Sequence, residues 1–138
     1  MRQLSVFVEN KKGSLMEVTS KLADEKINIR AVASFDTPNF AILRLIVDEI
    51  EKAKECLEKE GVIVRISEVI GAELVDQKGN LNDMLTILSK NDINLDYIYS
   101  FVIRDGRSPV LVFHSDDLEK TKEVLLLSGI KIVEEDEL

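Results

Sequence analysis

The sequence repeats itself, because its second half copies the pattern of its first half. Gly13-Ser14-Leu15 returns as Gly79-Asn80-Leu81, and Ile27-Asn28-Ile29 returns as Ile93-Asn94-Leu95, in both cases 66 positions later. After a short insertion the offset becomes 68. A chain of 138 residues has room for one ordinary domain or for two very small ones. The repeat therefore predicts two small units, residues 1–67 and 68–138.

Within each copy the hydrophobic period changes in a fixed order. Alternation with period two is typical of strands, and helical spacing is typical of amphipathic helices. In the first copy the alternating segments are 4–8, 27–35, 41–47 and 62–64, and the helical segments are 15–22 and 50–57. Gly61 follows the second helix, where a left-handed helix end favours glycine. With right-handed crossovers this order predicts an α+β fold, a ferredoxin-like βαββαβ unit whose antiparallel sheet carries both helices on one face.

The second face of the sheet is also predicted to be apolar. In the first copy we expect Phe7, Val32, Ile42 and Ile46 on this face. An apolar face of this size is rarely left in water. The pattern therefore predicts that another sheet, a second subunit or a protein partner covers it.

The turn after the first strand carries the most specific motif. Its pattern Asn10-x-x-Gly13-x-Leu15, followed by Ile27-Asn28-Ile29, resembles the opening of an ACT domain, and a similar pattern returns in the second copy. The resemblance covers nearly the whole chain, which is similar to stand-alone tandem ACT proteins of bacteria and archaea. It implies a regulatory protein that binds a free amino acid where two ACT units lie side by side, and that is not an enzyme.

The resemblance implies a ligand site built from the strand–helix turn of one unit and the second strand of its neighbour. The candidate ligand-binding residues are Asn10, Gly13, Ser14, Leu15 and Asn28 in the first copy, and Asp76, Gly79, Asn80, Leu81 and Asn94 in the second. A glycine turn lets the backbone approach a ligand closely, and the N–H groups that open a helix favour a carboxylate. Side-chain amides offer both a donor and an acceptor, which suits a zwitterion.

Two departures from the family pattern refine this expectation. Serine-sensing ACT units carry a histidine two residues before the first asparagine, where this chain has Val8 and Leu74, which argues against serine. Asp76 replaces Asn10 in the second copy, and its carboxylate accepts hydrogen bonds but repels another carboxylate. We therefore predict two unequal sites, of which the Asn10 turn binds a carboxylate better.

Each of these features also has a purely structural interpretation. Gly13 and Gly79 are alternatively turn residues that need positive φ. Asn28 and Asn94 are alternatively residues that satisfy backbone groups at the entry to a strand. The segment Arg104–Arg107 is interpreted as a hairpin loop, with an anion clamp as the alternative.

The remaining polar and aromatic residues indicate packing or solvation. Tyr97 and Tyr99 alternate on a strand and are expected to be half-buried. Cys56 is the only cysteine and is assigned to core packing. His114 is the only histidine, so no transition-metal site is predicted, and the acidic segment Glu134–Glu137 is interpreted as a solvated end.

Charge and motifs exclude several classes of function. The formal net charge of −8 argues against nucleic acids and acidic membranes, whose attraction needs clustered Lys and Arg. No apolar stretch approaches the roughly 18 residues of a membrane span, and we expect a cytoplasmic protein. No nucleophile–base pair or phosphate cradle is recognisable, and no cofactor is predicted.

The expected partners follow from this assignment. They are an amino acid, a second copy of the chain in a homodimer, and a separate metabolic enzyme that receives the regulation. The alternative function is a ligand-free interaction subunit that binds an enzyme through the exposed face of its sheet.

Overall fold

The computed structural model describes residues 1–102 and 108–137, in two compact units. One unit comprises Arg2–Ser67, and the other comprises Met1 together with Glu68–Leu138. Met1 belongs to the second unit because its ammonium group donates to the carbonyl of Val69 (3.1 Å) and its carbonyl accepts from the Val69 N–H (2.9 Å). The segment Arg104–Arg107, interpreted as a hairpin loop, lies outside the described residues.

Both units have the predicted order of elements. The first contains β1 (Arg2–Glu9), α1 (Ser14–Asp24), β2 (Ile29–Asp36), β3 (Phe40–Val47), α2 (Ile50–Lys59) and β4 (Ile63–Glu68). The second contains β5 (Ile70–Glu73), α3 (Asn80–Lys90), β6 (Leu95–Val102), β7 (Pro109–Ser115), α4 (Leu118–Leu127) and β8 (Lys131–Val133), followed by a 3₁₀ turn at Glu135–Glu137. The strand orders are β2-β3-β1-β4 and β6-β7-β5-β8, which confirms two antiparallel ferredoxin-like units.

The core of each unit lies between the sheet and its two helices. The sheet contributes the fully buried Leu4 and Leu45, and the helices contribute the fully buried Leu22 and Leu57. Helical spacing puts the buried positions of α1 on one stripe, so that burial of this stripe holds the helix on the sheet. Gly61 follows α2 at φ 78°, as predicted for a left-handed helix end.

A bulge in the second strand corrects one prediction. The register shifts between Ile29 and Ala31, after which Val32 pairs with Leu45 and therefore shares the face that carries the helices. Its predicted place on the opposite face was wrong. Phe7, Ile42 and Ile46 do lie on that opposite face, by the register of β1, β2 and β3.

The bulge is repeated in the second unit, and it changes which residues share a face. There the register shifts between Leu95 and Tyr97, 66 positions after the first bulge. A bulge inserts one residue into one strand, so the side chains beyond it exchange faces. The period-two pattern runs through the bulge without a break, which explains why the sequence did not reveal it.

Two buried positions of the second unit are polar where their equivalents in the first unit are apolar. In the second unit the hydroxyls of Ser115 and Thr121 are 2.7 Å apart, and Thr121 Oγ1 also donates to the carbonyl of Asp117 (2.6 Å). Both side chains are buried. The equivalent residues of the first unit, 68 positions earlier, are the apolar Val47 and Ala53.

This difference predicts a strong coupling between Ser115 and Thr121. Thr121→Ala is expected to lower the free energy of unfolding by about 1–3 kcal/mol, because it leaves a buried hydroxyl without its partner. Adding Ser115→Val should recover most of this loss, since the double variant copies the first unit. Urea unfolding of the four proteins of this cycle measures the coupling. Additive losses in the double variant would contradict it.

Candidate functional site

The turn between β1 and α1 is built around a glycine in a left-handed conformation. Gly13 has φ 87°, and its equivalent Gly79 has φ 94° before α3. Non-glycine residues rarely adopt such angles, which supports the interpretation of both glycines as turn residues. An added Cβ would meet no atom within 4 Å at either position, so the backbone angle and not a neighbouring atom requires glycine.

Each turn presents the N-terminus of a helix without a side-chain cap. Ser14 N–H donates to the carbonyl of Lys11 (3.3 Å), and the first bond into the helix runs from Glu17 N–H to Gly13 (3.0 Å). Among the described residues, none accepts from the N–H groups of residues 15 and 16, and the same holds for residues 81 and 82 of α3. Open N–H groups at a helix N-terminus attract carboxylates. Leu15 and Leu81, which lie beside these groups, are 41% and 46% exposed.

Asn10 connects this turn to the β2–β3 hairpin. Its side-chain amide donates to the carbonyl of Thr37 (3.0 Å), and its backbone N–H donates to Asn39 (3.3 Å). The amide oxygen has no partner among the described residues and remains an acceptor. In the second unit Asp76 is exposed, and Asn80 holds its turn by donating to the carbonyl of Val75 (2.7 Å).

Asn28 and Asn94 lie at the opposite ends of their sheets. Asn28 N–H donates to the Asp48 carboxylate (3.0 Å) and its carbonyl accepts from Asp48 N–H (3.2 Å); Asn94 pairs with Asp116 in the same way. Both asparagines are exposed. The eight residues of β3 separate Asn10 from Asn28, a distance of roughly 25 Å. A single unit therefore does not bring these two candidate residues together.

A cleft opens in the first unit beside the N-terminus of α1, between α1, the C-terminal end of α2 and the facing ends of β1 and β4. Its volume is about 630 Å³. It is lined by Phe7, Val8, Glu9, Lys11, Ser14, Glu17, Val18, Lys21, Leu57, Glu60, Gly61, Val62 and Ile63. Of these residues, the sequence had indicated only Ser14 as a candidate. The other lining residues come together only when α1, α2 and the ends of β1 and β4 pack, and no local pattern in the sequence indicates this packing.

An ion pair crosses from one wall of this cleft to the other. Lys21 Nζ on α1 lies 3.3 Å from Glu60 Oε1 at the end of α2, and both side chains are about half-exposed. Such an exposed pair contributes little to stability, on the order of 0–1 kcal/mol. Its charges are therefore available to an incoming ligand at small cost.

Cys56 lies close to this ion pair and has a perturbed thiol. Its Sγ donates weakly to the carbonyl of Lys21 (3.7 Å). Burial raises the pKa of the Cys56 thiol, and the carboxylates of Glu25 and Glu60 raise it further, against the smaller opposite effect of Lys21 and Lys59. The thiolate is the reactive form of cysteine, so the folded chain should protect this residue at neutral pH.

The raised pKa of Cys56 predicts slow alkylation. Iodoacetamide is expected to modify Cys56 several-fold more slowly in the native chain than in the chain unfolded in urea, at any pH below the native pKa. The rate should also reach half its maximum at a higher pH in the native chain. Mass spectrometry of samples quenched over time measures both rates. Identical pH midpoints in the two states would contradict the assignment.

The second sheet carries a cluster of aromatic and titratable side chains. His114 Nδ1 lies within hydrogen-bond distance of Asp96, and the His114 ring stacks on Tyr97 with the ring centroids 5.9 Å apart. Tyr97 also stacks on Tyr99 (6.5 Å), and both tyrosines are half-buried, as predicted. Within 1–102 and 108–137, no three side chains of His, Cys, Asp or Glu form a metal-binding group.

The fold and the duplicated turns define a pair of ACT domains. The family model of the ACT domain pair matches residues 1–138, and the chain belongs to this family. ACT domain pairs are regulatory rather than catalytic in type. No helix of the described part of the chain is long and apolar enough to cross a membrane.

Known structures agree with this assignment. The chain is similar to protein BT0572 from Bacteroides thetaiotaomicron, with 33% identity, a TM-score of 0.91, and coverage of 99% of this chain and 93% of that one. The regulatory subunit of aspartate kinase from Thermus thermophilus, in a ligand-free form, shares the fold at 14% identity, with a TM-score of 0.65 and 91% of each chain covered. A structure of aspartokinase alpha and beta subunits is similar at 14% identity, with a TM-score of 0.61 and coverage of 93% and 91%. A comparison with curated proteins gives no match.

Proposed function

We propose that the chain is a regulatory protein that senses a free amino acid at the interface between ACT units. The ligand carboxylate binds at the N-terminus of a helix that follows a glycine turn. The observation that carries this proposal is the pair of uncapped helix N-termini after Gly13 and Gly79, in equivalent positions of the two units. The N–H groups there and the amide oxygen of Asn10 complement a carboxylate and an ammonium group.

The output of this protein is binding and not turnover. A ligand shifts a regulated partner only if it binds one arrangement of the protein better than another. The aspartate kinase structures, one of them named a regulatory subunit, suggest the kind of partner involved, a separate metabolic enzyme. We propose that the chain acts on such an enzyme as a cytoplasmic homodimer, without catalysis of its own.

The two proposed sites differ in charge at their turns. Asn10 in the first unit corresponds to Asp76 in the second, which is exposed beside the α3 N-terminus. The carboxylate of Asp76 repels a ligand carboxylate in that turn, so the first site binds more tightly.

Asp76→Asn is therefore expected to strengthen the second site. Removing the like charge should raise the affinity of that site for the amino acid by about three- to tenfold, equal to roughly 0.6–1.4 kcal/mol. Calorimetric titration separates the two sites by their affinities and stoichiometry. The matched change Asn10→Asp should weaken the first site instead. An unchanged second site in Asp76→Asn would contradict the assignment of this turn.

A second candidate function is a ligand-free interaction subunit. Phe7, Ile42 and Ile46 share the sheet face opposite the helices. Ile46 is buried, whereas Phe7 and Ile42 are half-buried, and their accessible part suits a protein partner. Arg44 lies on the same face, where its guanidinium group donates to Ser5 Oγ (3.1 Å). The Arg44 Cζ atom lies over the Phe35 ring, 5.3 Å from the ring centroid. This alternative gives no function to the two uncapped helix N-termini, and a failed ligand screen would favour it.

A further inference from the structure

We infer that the cleft of the first unit binds the side chain of the amino acid, and that this side chain is large and apolar. The inference rests on the proposed function, because it assigns the class of ligand for the first site. The cleft lies within residues 2–67, and α1 forms one of its walls from its first residue, Ser14, to Lys21. A ligand whose carboxylate reaches the α1 N-terminus can therefore place its side chain in the cleft.

The floor of the cleft is apolar and continuous with the core. Val18 and Leu57 are buried members of the core of the first unit, and Val8 and Val62 pack against that core from the cleft side. Small-molecule sites are commonly apolar clefts of about 300–1,000 Å³ with a few polar groups, and this cleft has that size. An aliphatic or aromatic side chain would bury apolar area on this floor, which a polar side chain would not.

The rim of the cleft carries charges of both signs. Lys11 Nζ lies 3.1 Å from Glu9 Oε2, and Lys21 Nζ lies 3.3 Å from Glu60 Oε1. Glu17 has no ion-pair partner among the described residues. A zwitterion complements this rim, because Lys11 in the turn before α1 attracts its carboxylate and Glu17 attracts its ammonium group. The pair of Lys21 and Glu60 closes the far end of the cleft. A purely anionic or purely apolar ligand would match only part of the rim.

Ser14 offers a polar group to a ligand in the cleft. It is the first residue of α1, it lines the cleft, and only 6% of its surface is exposed. Its hydroxyl has no hydrogen-bond partner among the described residues. The oxygen itself keeps access to solvent in the cleft, so it can exchange a water molecule for a polar atom of a bound ligand.

The second unit lacks the same combination of residues. By the offsets of the repeat, the longer side chain of Met84 replaces Val18, while Ile87 and Ser128 replace the charged pair Lys21 and Glu60. The inferred side-chain pocket therefore belongs to the first unit. Exchanging single residues between the units gives variants that the fold already accommodates at the equivalent position.

The test measures affinities of the full chain for leucine, phenylalanine and glycine by calorimetry. Val18→Met, which narrows the floor, and Lys21→Ile, which removes a charge from the exposed rim, should each weaken leucine and phenylalanine binding about tenfold or more. The matched controls Met84→Val and Lys59→Ile should leave the affinity within about twofold. Val18→Met changes a core residue, and a folding defect alone would weaken its binding. Lys21→Ile is a second test without this risk, since Lys21 lies outside the core.

The outcomes separate this inference from the function on which it rests. Preference for leucine or phenylalanine over glycine, lost in both cleft variants, would support it. An amino acid that binds with unchanged affinity in both cleft variants, but not in Gly13→Ala, would overturn the inference and leave the proposed function standing. If leucine and phenylalanine bind no better than glycine, the inference is overturned alone. If a thermal-shift screen of all twenty amino acids shows no binding to the wild-type chain, both are overturned.

Discussion

Phe113→Ala is expected to lower the free energy of unfolding of the second unit by about 3–5 kcal/mol, the largest effect of any single change considered. Phe113 is fully buried in β7, where it pairs with Ile70 on one side and Ile98 on the other. The same cluster includes Met84 and Leu125 from the two helices. Removing the ring therefore leaves a cavity at the point where sheet and helices meet, in addition to the lost burial of the ring itself.

The size of this loss is decisive for so small a unit. Domains of this kind are stable by about 5–15 kcal/mol, and small units lie at the lower end. Urea unfolding followed by circular dichroism should show the loss. Limited proteolysis without ligand should show it too, as faster cleavage within residues 68–137. The control is Leu127→Ala on α4, because Leu127 is 82% exposed and its loss should cost less than about 0.5 kcal/mol. Equal effects of the two changes would contradict the assigned core.

The second large effect is stabilisation by the ligand. An amino acid at 100 times its dissociation constant should raise the free energy of unfolding by about 2.7 kcal/mol, since it binds the folded chain and not the unfolded one. Gly13→Ala should abolish most of this gain. The added Cβ meets open space but forces a strained φ at the turn, at a cost of about 1–2 kcal/mol, and so displaces the N–H groups that face the ligand. Gly79→Ala is the matched control, because it strains the equivalent turn of the weaker site. Stabilisation that survives Gly13→Ala in full would contradict the role of this turn.

Much of the fold could be predicted because its signals are local and occur twice. Alternation of apolar residues indicates the strands of the described chain, and helical spacing of apolar residues indicates the helices. The repeat shows each of these patterns a second time. Both bulges escaped prediction, as Val32 illustrates. One inserted residue exchanges the faces of a strand without disturbing its alternating pattern, and only the pairing of Val32 with Leu45 reveals it.

The site was predictable only in part, for a different physical reason. Gly13 and Gly79 could be identified because a left-handed turn restricts the residue type at one position. Lys21 and Glu60 are far apart in the sequence and meet only because α1 packs beside the end of α2. The hydrogen bond from Asn10 to Thr37 likewise depends on the position of the hairpin, so the amide that the sequence assigned to a ligand already has a structural role.

The most direct test of the central claim is a thermal-shift titration of the full chain with each of the twenty amino acids, at millimolar concentration and fixed ionic strength. A stabilisation of about 2.7 kcal/mol corresponds to a rise in Tm of several degrees for units of this size. The amino-acid sensor predicts such a rise with one amino acid or a few related ones, and little of it in Gly13→Ala. No rise with any of the twenty would contradict the sensor and favour the interaction subunit.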